Sequence, residues 1–175
     1  MAGPAQPAHQ SVDIRRATDE TDFQEAIRLL EVMAVWDAAM SAPLGFSEAE
    51  IRETFYTQAA ADLASTYSTP SAAMLIAWQG GDGVGLVAYQ VSGGDGELRH
   101  FFVAPDQRGK GLGRRLLTES IDAMTGLNAR RMRLMTAGFM QSAQHLYREA
   151  GFRVCEPFVD LGERYGPVTI FMERP

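Results

Sequence analysis

The sequence predicts an α/β fold in which helices pack around a mixed central sheet. Two observations carry that prediction. Segments with the two-residue period of strands alternate with segments of helical period, and no internal repeat interrupts them. At 175 residues and 46% hydrophobic, the chain can bury one sizeable core and is short for two.

The elements follow in order. Residues 1–11, rich in Pro and Ala, read as a flexible arm, which leaves residues 12–175 as one domain. Residues 12–17 alternate like a first strand. Thr18 or Asp19 caps a helix with Phe23, Ile27, Leu30 and Ala34 on one face, extending toward Met40. Pro43 breaks the pattern within residues 41–45. Ser47, with Glu50 three residues on, is a capping box opening a second helix toward Leu63. Residues 74–78 and 84–91 are strand-like and flank Gly80-Gly81-Asp82-Gly83, a hairpin signal. Gly93-Gly94-Asp95-Gly96 turns the chain again into a strand over 97–103. A helix from about 110 to 124, a strand over 131–135, a helix around Tyr147 and strands over about 152–155 and 168–172 complete it.

The run from Val103 to Gly113 is the most informative stretch. It joins a strand-like segment to a helix-like one through Gly109, Gly111 and Gly113, flanked by Arg108, Lys110, Arg114 and Arg115. Glycines there let backbone N–H groups approach a ligand, and a helix opening at such a turn offers unpaired donors to a phosphate. The spacing is neither the G-x-G-x-x-G of dinucleotide folds nor the G-x-x-x-x-G-K-[ST] of triphosphate loops. The charge of −6 argues against nucleic acid, so a local basic cluster points to one anionic ligand. One of Arg114 and Arg115 can equally belong to a solvated helix face.

Gln107-Arg108-Gly109-Lys110-Gly111-Leu112-Gly113 resembles the acetyl-coenzyme-A signature of the GNAT N-acetyltransferase superfamily, Q/R-x-x-G-x-G/A, opened by Arg108 or Gln107. A second segment, Ala143-Gln144-His145-Leu146-Tyr147-Arg148-Glu149-Ala150-Gly151-Phe152, resembles the A-x-x-L-Y-x-x-x-G-F signature at the end of the same core. Ala143, Leu146, Tyr147 and Ala150 repeat on one helix face, and Gly151 sits where a helix C-terminus favours a left-handed residue. The resemblance covers most of the chain from Val12 onward. It implies a mostly antiparallel mixed sheet, with acetyl-CoA as acetyl donor held by Phe102, Val103, Arg108, Gly109, Lys110, Gly111, Leu112, Gly113 and Arg114.

Acyl transfer to an amine requires removing the ammonium proton, stabilising an oxyanion and protonating the departing thiolate. Glu97 is the candidate base, directly or through water. It opens the strand leading to the glycine loop, and alternation puts it on the face of Arg99, Phe101 and Val103. Its alternative is a solvated acid after a glycine turn. The resemblance implies an oxyanion donor in backbone N–H near Val103 and makes Tyr147 the acid for the thiolate. Tyr147 can otherwise be an apolar-face tyrosine with its hydroxyl at the rim.

The resemblance places the acceptor near Trp36, Met40, Phe46, Phe55 and Tyr56, with Asp160, Glu163, Arg164 and Tyr165 opposite. The expected acceptor is a primary amine of a small molecule. A protein N-terminus or lysine, and a non-catalytic acyl-CoA-binding module, are the alternatives. One cysteine excludes an internal disulfide, and His9, His100 and His145 show no metal spacing, so no metal is expected. No segment reads as a membrane span or signal peptide, which makes the cytoplasm the expected compartment and leaves room for a homodimer.

Overall fold

The computed structural model describes residues 11–175; the expected arm, Ser11 apart, lies outside them, as does His9. In chain order the elements are β1 (Asp13–Arg16), α1 (Glu20–Ser41), α2 (Glu48–Phe55), α3 (Ala60–Tyr67), β2 (Ala72–Gln79), β3 (Asp82–Ser92) and β4 (Asp95–Val103). They continue with α4 (Leu112–Gly126), β5 (Arg131–Ala137), α5 (Gln141–Glu149), β6 (Arg153–Val154), α6 (Gly162–Tyr165) and β7 (Thr169–Arg174). The seven strands form one sheet in the order β1-β2-β3-β4-β5-β7-β6. Only β4 and β5 run parallel, because α4 carries the chain back between them; the other pairs are antiparallel.

Two apolar layers clasp this sheet. On one face α4 and α5 bury Leu116, Leu117, Met124 and Tyr147 against Val87, Leu98 and Leu134. On the other, α1 and α3 bury Phe23, Leu29 and Leu63 against Met74, Ile76, Leu86 and Phe102. The spacing of Phe23, Leu30 and Ala34 on α1 accounts for its inward face. Its start is set by Asp19, whose side chain accepts from the Asp22 N–H at 2.9 Å. Burial of the apolar side chains, about 25 cal/mol per Å² removed from water, is the main stabilising force in both layers.

Three local expectations are corrected. The second helix does not run to Leu63. The Ser47–Glu50 capping box forms, but α2 stops at Phe55 and the chain restarts as α3. Tyr56 leaves the helical conformation (φ −132°) and its hydroxyl is donated to Asp37 on α1, a tertiary contact that competes with helix propagation. Asp62 then accepts the Ala59 N–H at 2.9 Å and starts the new helix. The helix after the glycine loop begins at Leu112, two residues later than expected, because Gly111 has φ +81°. The short α6 was not anticipated; four residues are too few for a periodic signal.

The third correction bears on chemistry. Simple alternation along β4 fails at His100, which has φ +53°. Opposite it the register with β3 slips, from Leu86↔Phe102 to Ala88↔Arg99, so β4 contains one extra residue. The bulge reverses side-chain parity. Leu98, Phe101 and Val103 face α4, whereas Phe102 packs toward α1 and α3. Glu97 therefore shares a face with Arg99 but not with Phe101 and Val103.

Candidate active site

The parallel ladder between β4 and β5 ends at Leu98↔Leu134. Beyond it, the β4 backbone groups pointing away from β3 have no β5 partner opposite, and the strands splay. The gap opens into a cavity of about 360 Å³ with α1 and α2 on one side and β4, β5 and α5 on the other. Glu97 from β4 and Tyr147 from α5 both line it.

Glu97 is held by Arg99 in a two-point pair, Nε to Oε1 at 2.9 Å and Nη2 to Oε2 at 3.0 Å. The pair occupies one lone pair on each carboxylate oxygen and leaves the others open. Tyr147 is 5% exposed, its ring 5.6 Å from that of Phe101 and 6.1 Å from that of Phe152. Burial pushes its phenol well above the ordinary tyrosine value, so the hydroxyl stays protonated at physiological pH and can donate a hydrogen bond into the cavity. His100, at the bulge, also lines the cavity and stands edge-on to Tyr67. Burial, then the nearby Arg99 charge, pulls its pKa down to about 4, so the imidazole is neutral at physiological pH.

The glycine loop meets this centre through α4. A Cβ on Gly113 would lie 3.3 Å from Leu146, 3.4 Å from Phe101 and 3.6 Å from Val103, so the helix start is seated closely on β4 and α5 and a side chain there would press on Leu146. Gly109 and Gly111 have φ +75° and +81°, with open space where a Cβ would project. The first intrahelical bond runs from the Arg115 N–H to the Gly111 carbonyl, at 3.1 Å, which leaves the N–H groups of Leu112, Gly113 and Arg114 without helix partners. That is a fit for the pyrophosphate of acetyl-CoA.

Not every residue expected at the cofactor contributes alike. The Arg108 N–H is donated to Pro105, and its guanidinium reaches the Val103 carbonyl at 3.1 Å while lying over Trp36. Gln107 is buried against Gln79. Phe102 and Leu112 are buried, so each can offer a ligand only main chain. Arg114 is paired with Glu149 at 2.8 Å, and Arg115 holds the Val12 carbonyl. Lys110 is exposed and in no ion pair among the described residues, which makes it the free cation of the loop.

Of the expected acceptor residues, Phe46, Phe55, Tyr56 and Tyr165 line the cavity. Trp36 instead packs on Phe139 and Arg108, and Arg164 binds Glu50 and stacks on Phe46. Met40, Asp160 and Glu163 do not line it either. Asp37 was missed. It is 9% exposed, lines the cavity and accepts the Tyr56 hydroxyl. Its signal was present: position 37 continues the Leu30, Ala34 spacing, placing an acid on a buried helix face. Among the described residues no His, Cys, Asp and Glu group could hold a metal, and no helix is long and apolar enough to cross a membrane.

Residues 34–152 match the acetyltransferase (GNAT) family. An IAA acetyltransferase of Azospirillum brasilense is 34% identical over 112 residues, 63% of this chain and 72% of that protein. An uncharacterized N-acetyltransferase of Schizosaccharomyces pombe is 35% identical over 95 residues, 53% of this chain and 58% of that protein. The structure of the PaiA N-acetyltransferase from Thermoplasma acidophilum, solved in complex with coenzyme A, superposes with a TM-score of 0.69 at 19% identity, covering 94% of this chain and 98% of that one. With the splayed β4–β5 pair, the glycine-rich helix start and a family match over most of its length, this chain belongs to the GNAT acetyltransferase family and is an acyltransferase.

Proposed function

We propose that residues 12–175 form one N-acetyltransferase domain that moves the acetyl group of acetyl-CoA to a primary amine of a small molecule. The observation that carries the reading is that Glu97 and Tyr147 line one cavity while the glycine-rich helix start packs at Gly113 against Phe101 of its wall. The main chain of Gly109 to Arg114 binds the pyrophosphate, with Lys110 adding charge. Glu97 takes the proton of the acceptor ammonium, directly or through a water. Unladdered N–H groups of β4 beyond Leu98 face the carbonyl oxygen as charge develops on it. Tyr147 gives its proton to the departing thiolate. The walls from α1 and α2 enclose the acceptor end, which favours a small molecule over a protein segment.

The test is coenzyme A release across a panel of amines and peptides, with two variants. Tyr147→Phe keeps the ring, and turnover should fall at least tenfold and up to the roughly 10²–10⁴ that general acid catalysis typically supplies. Melting temperature should stay nearly constant. Glu97→Gln should lower turnover more than acetyl-CoA affinity and remove the acidic limb of the pH–rate profile. Preference for peptides over every small amine would move the assignment to a protein acceptor.

A further inference from the structure

Among the described residues, three buried side-chain polar atoms lack a hydrogen-bond partner: Asp37 Oδ1, Trp78 Nε1 and Arg133 Nε. Of these residues only Asp37 lines the cavity. Its other oxygen, Oδ2, is engaged by Tyr56. A buried carboxylate oxygen without a donor is costly, and natural folds rarely leave one so placed without use.

The charges around it define what would complete it. Glu97 and Arg99 neutralise each other, and His100 is neutral. No ion pair engages Asp37 among the described residues, so it is the one uncompensated acid of the cavity wall. Tyr56, Phe55 and Tyr165 line the same cavity, and aromatic ring faces attract cations. An anionic or purely apolar acceptor would leave Asp37 Oδ1 unpaired. The attacking nitrogen must surrender its proton to Glu97, because attack needs a lone pair, and it then carries no charge to offer a second carboxylate. The cation at Asp37 is therefore a different nitrogen from the one Glu97 deprotonates.

We infer that the acceptor carries a second, protonated amine, and that Asp37, oriented by Tyr56, is the specificity-determining residue that binds it. The acceptor class is thus an aliphatic diamine or a longer polyamine. This rests on the amine-acetylating reading of the same cavity. In that geometry Asp37 Oδ1 accepts from the distal ammonium while the near amine lies toward Glu97 and the thioester.

The probes are 1,4-diaminobutane and butylamine, which match in length and differ in one charge. For the native protein, kcat/KM for the diamine should exceed that for the monoamine at least tenfold, the scale of one charge-assisted hydrogen bond. Asp37→Asn should lower that ratio about tenfold or more, chiefly through the diamine KM. Tyr56→Phe, which keeps the carboxylate, should lower it less. Equal kcat/KM for the two amines in the native protein, or a ratio unmoved by Asp37→Asn, overturns the inference. Should no amine release coenzyme A, the reaction reading fails and calorimetry decides this point separately. Diamine binding to the protein with coenzyme A, weakened tenfold in Asp37→Asn, would sustain the Asp37 site; absent or unaltered binding would overturn it.

Discussion

Helix α1 buries an aspartate near each end. Asp22 is 1% exposed and Asp37 is 9% exposed, so burial hardly separates them. Their partners do. Asp22 meets the Arg15 guanidinium at 2.8 Å and the Thr18 N–H at 2.9 Å, and ties β1 to the start of α1. Burial would raise its pKa, but those partners outweigh it and hold the carboxyl below the ordinary aspartate range. Asp37 has one donor, the Tyr56 hydroxyl; burial prevails there and pushes its carboxyl up. The lesson is that a buried charge marks structure when its partners are complete. It marks a site when one is missing and a cavity lies beside it.

Four measurements would sharpen or break this contrast. Asp22→Asn should lose most, about 2–3 kcal/mol, because it removes a buried carboxylate bonded to the half-exposed Arg15 and to the Thr18 N–H, and weakens the tie between β1 and α1. Calorimetry should show the melting temperature reduced by roughly 4–12 °C with turnover per folded molecule unaltered. Tyr56→Phe should cost about 1 kcal/mol, the scale of one hydrogen bond. Asp37→Asn should move stability least and in the opposite sense, a gain of under about 1 kcal/mol at neutral pH, since the amide still accepts from Tyr56 and no longer buries a charge. A loss as large as that of Asp22→Asn would make Asp37 a structural residue and end the distinction.

The smallest effect is a crossing with pH. Asp22 titrates lower in the fold than in the unfolded chain. Its contribution is complete above the ordinary value of 3.8 and disappears as pH falls through the lower folded value. Asp37 titrates higher in the fold. Its proton favours the fold below 3.8, and that advantage is lost as pH rises through the raised folded value. Melting curves should therefore show the Asp22→Asn deficit shrinking below about pH 4. The Asp37→Asn gain should grow as pH rises from there. Parallel curves for the two variants would refute the assigned directions.

Much of this molecule was legible in its residues. The alternation of strands and helices, the hairpin at residues 80–83, the Ser47–Glu50 cap and the glycine-rich helix start all appear where local periodicity and turn chemistry put them. Glu97 and Tyr147, fifty residues apart, do reach one cavity. The face of Phe101 and Val103 was misread, because alternation assumes one residue per partner and the His100 bulge inserts a second. Asp37 passed unnoticed beside Trp36, the more conspicuous side chain, although it is Asp37 that lines the cavity.

What the sequence determined by itself is the set of features that depend on near neighbours. These are the period of each segment, the positive φ that glycine permits at 109 and 111, and the donors that any helix start leaves unpaired. The tertiary structure alone decided the break after Phe55, the reversal of side-chain faces along β4, the parting of β4 from β5 after Leu98, and the single donor given to Asp37. Each of those depends on groups brought together from distant positions, such as Tyr56 and Asp37 or His100 and the strand opposite. Local propensity cannot encode such pairings, because their free energy exists only once the core has packed and water has left.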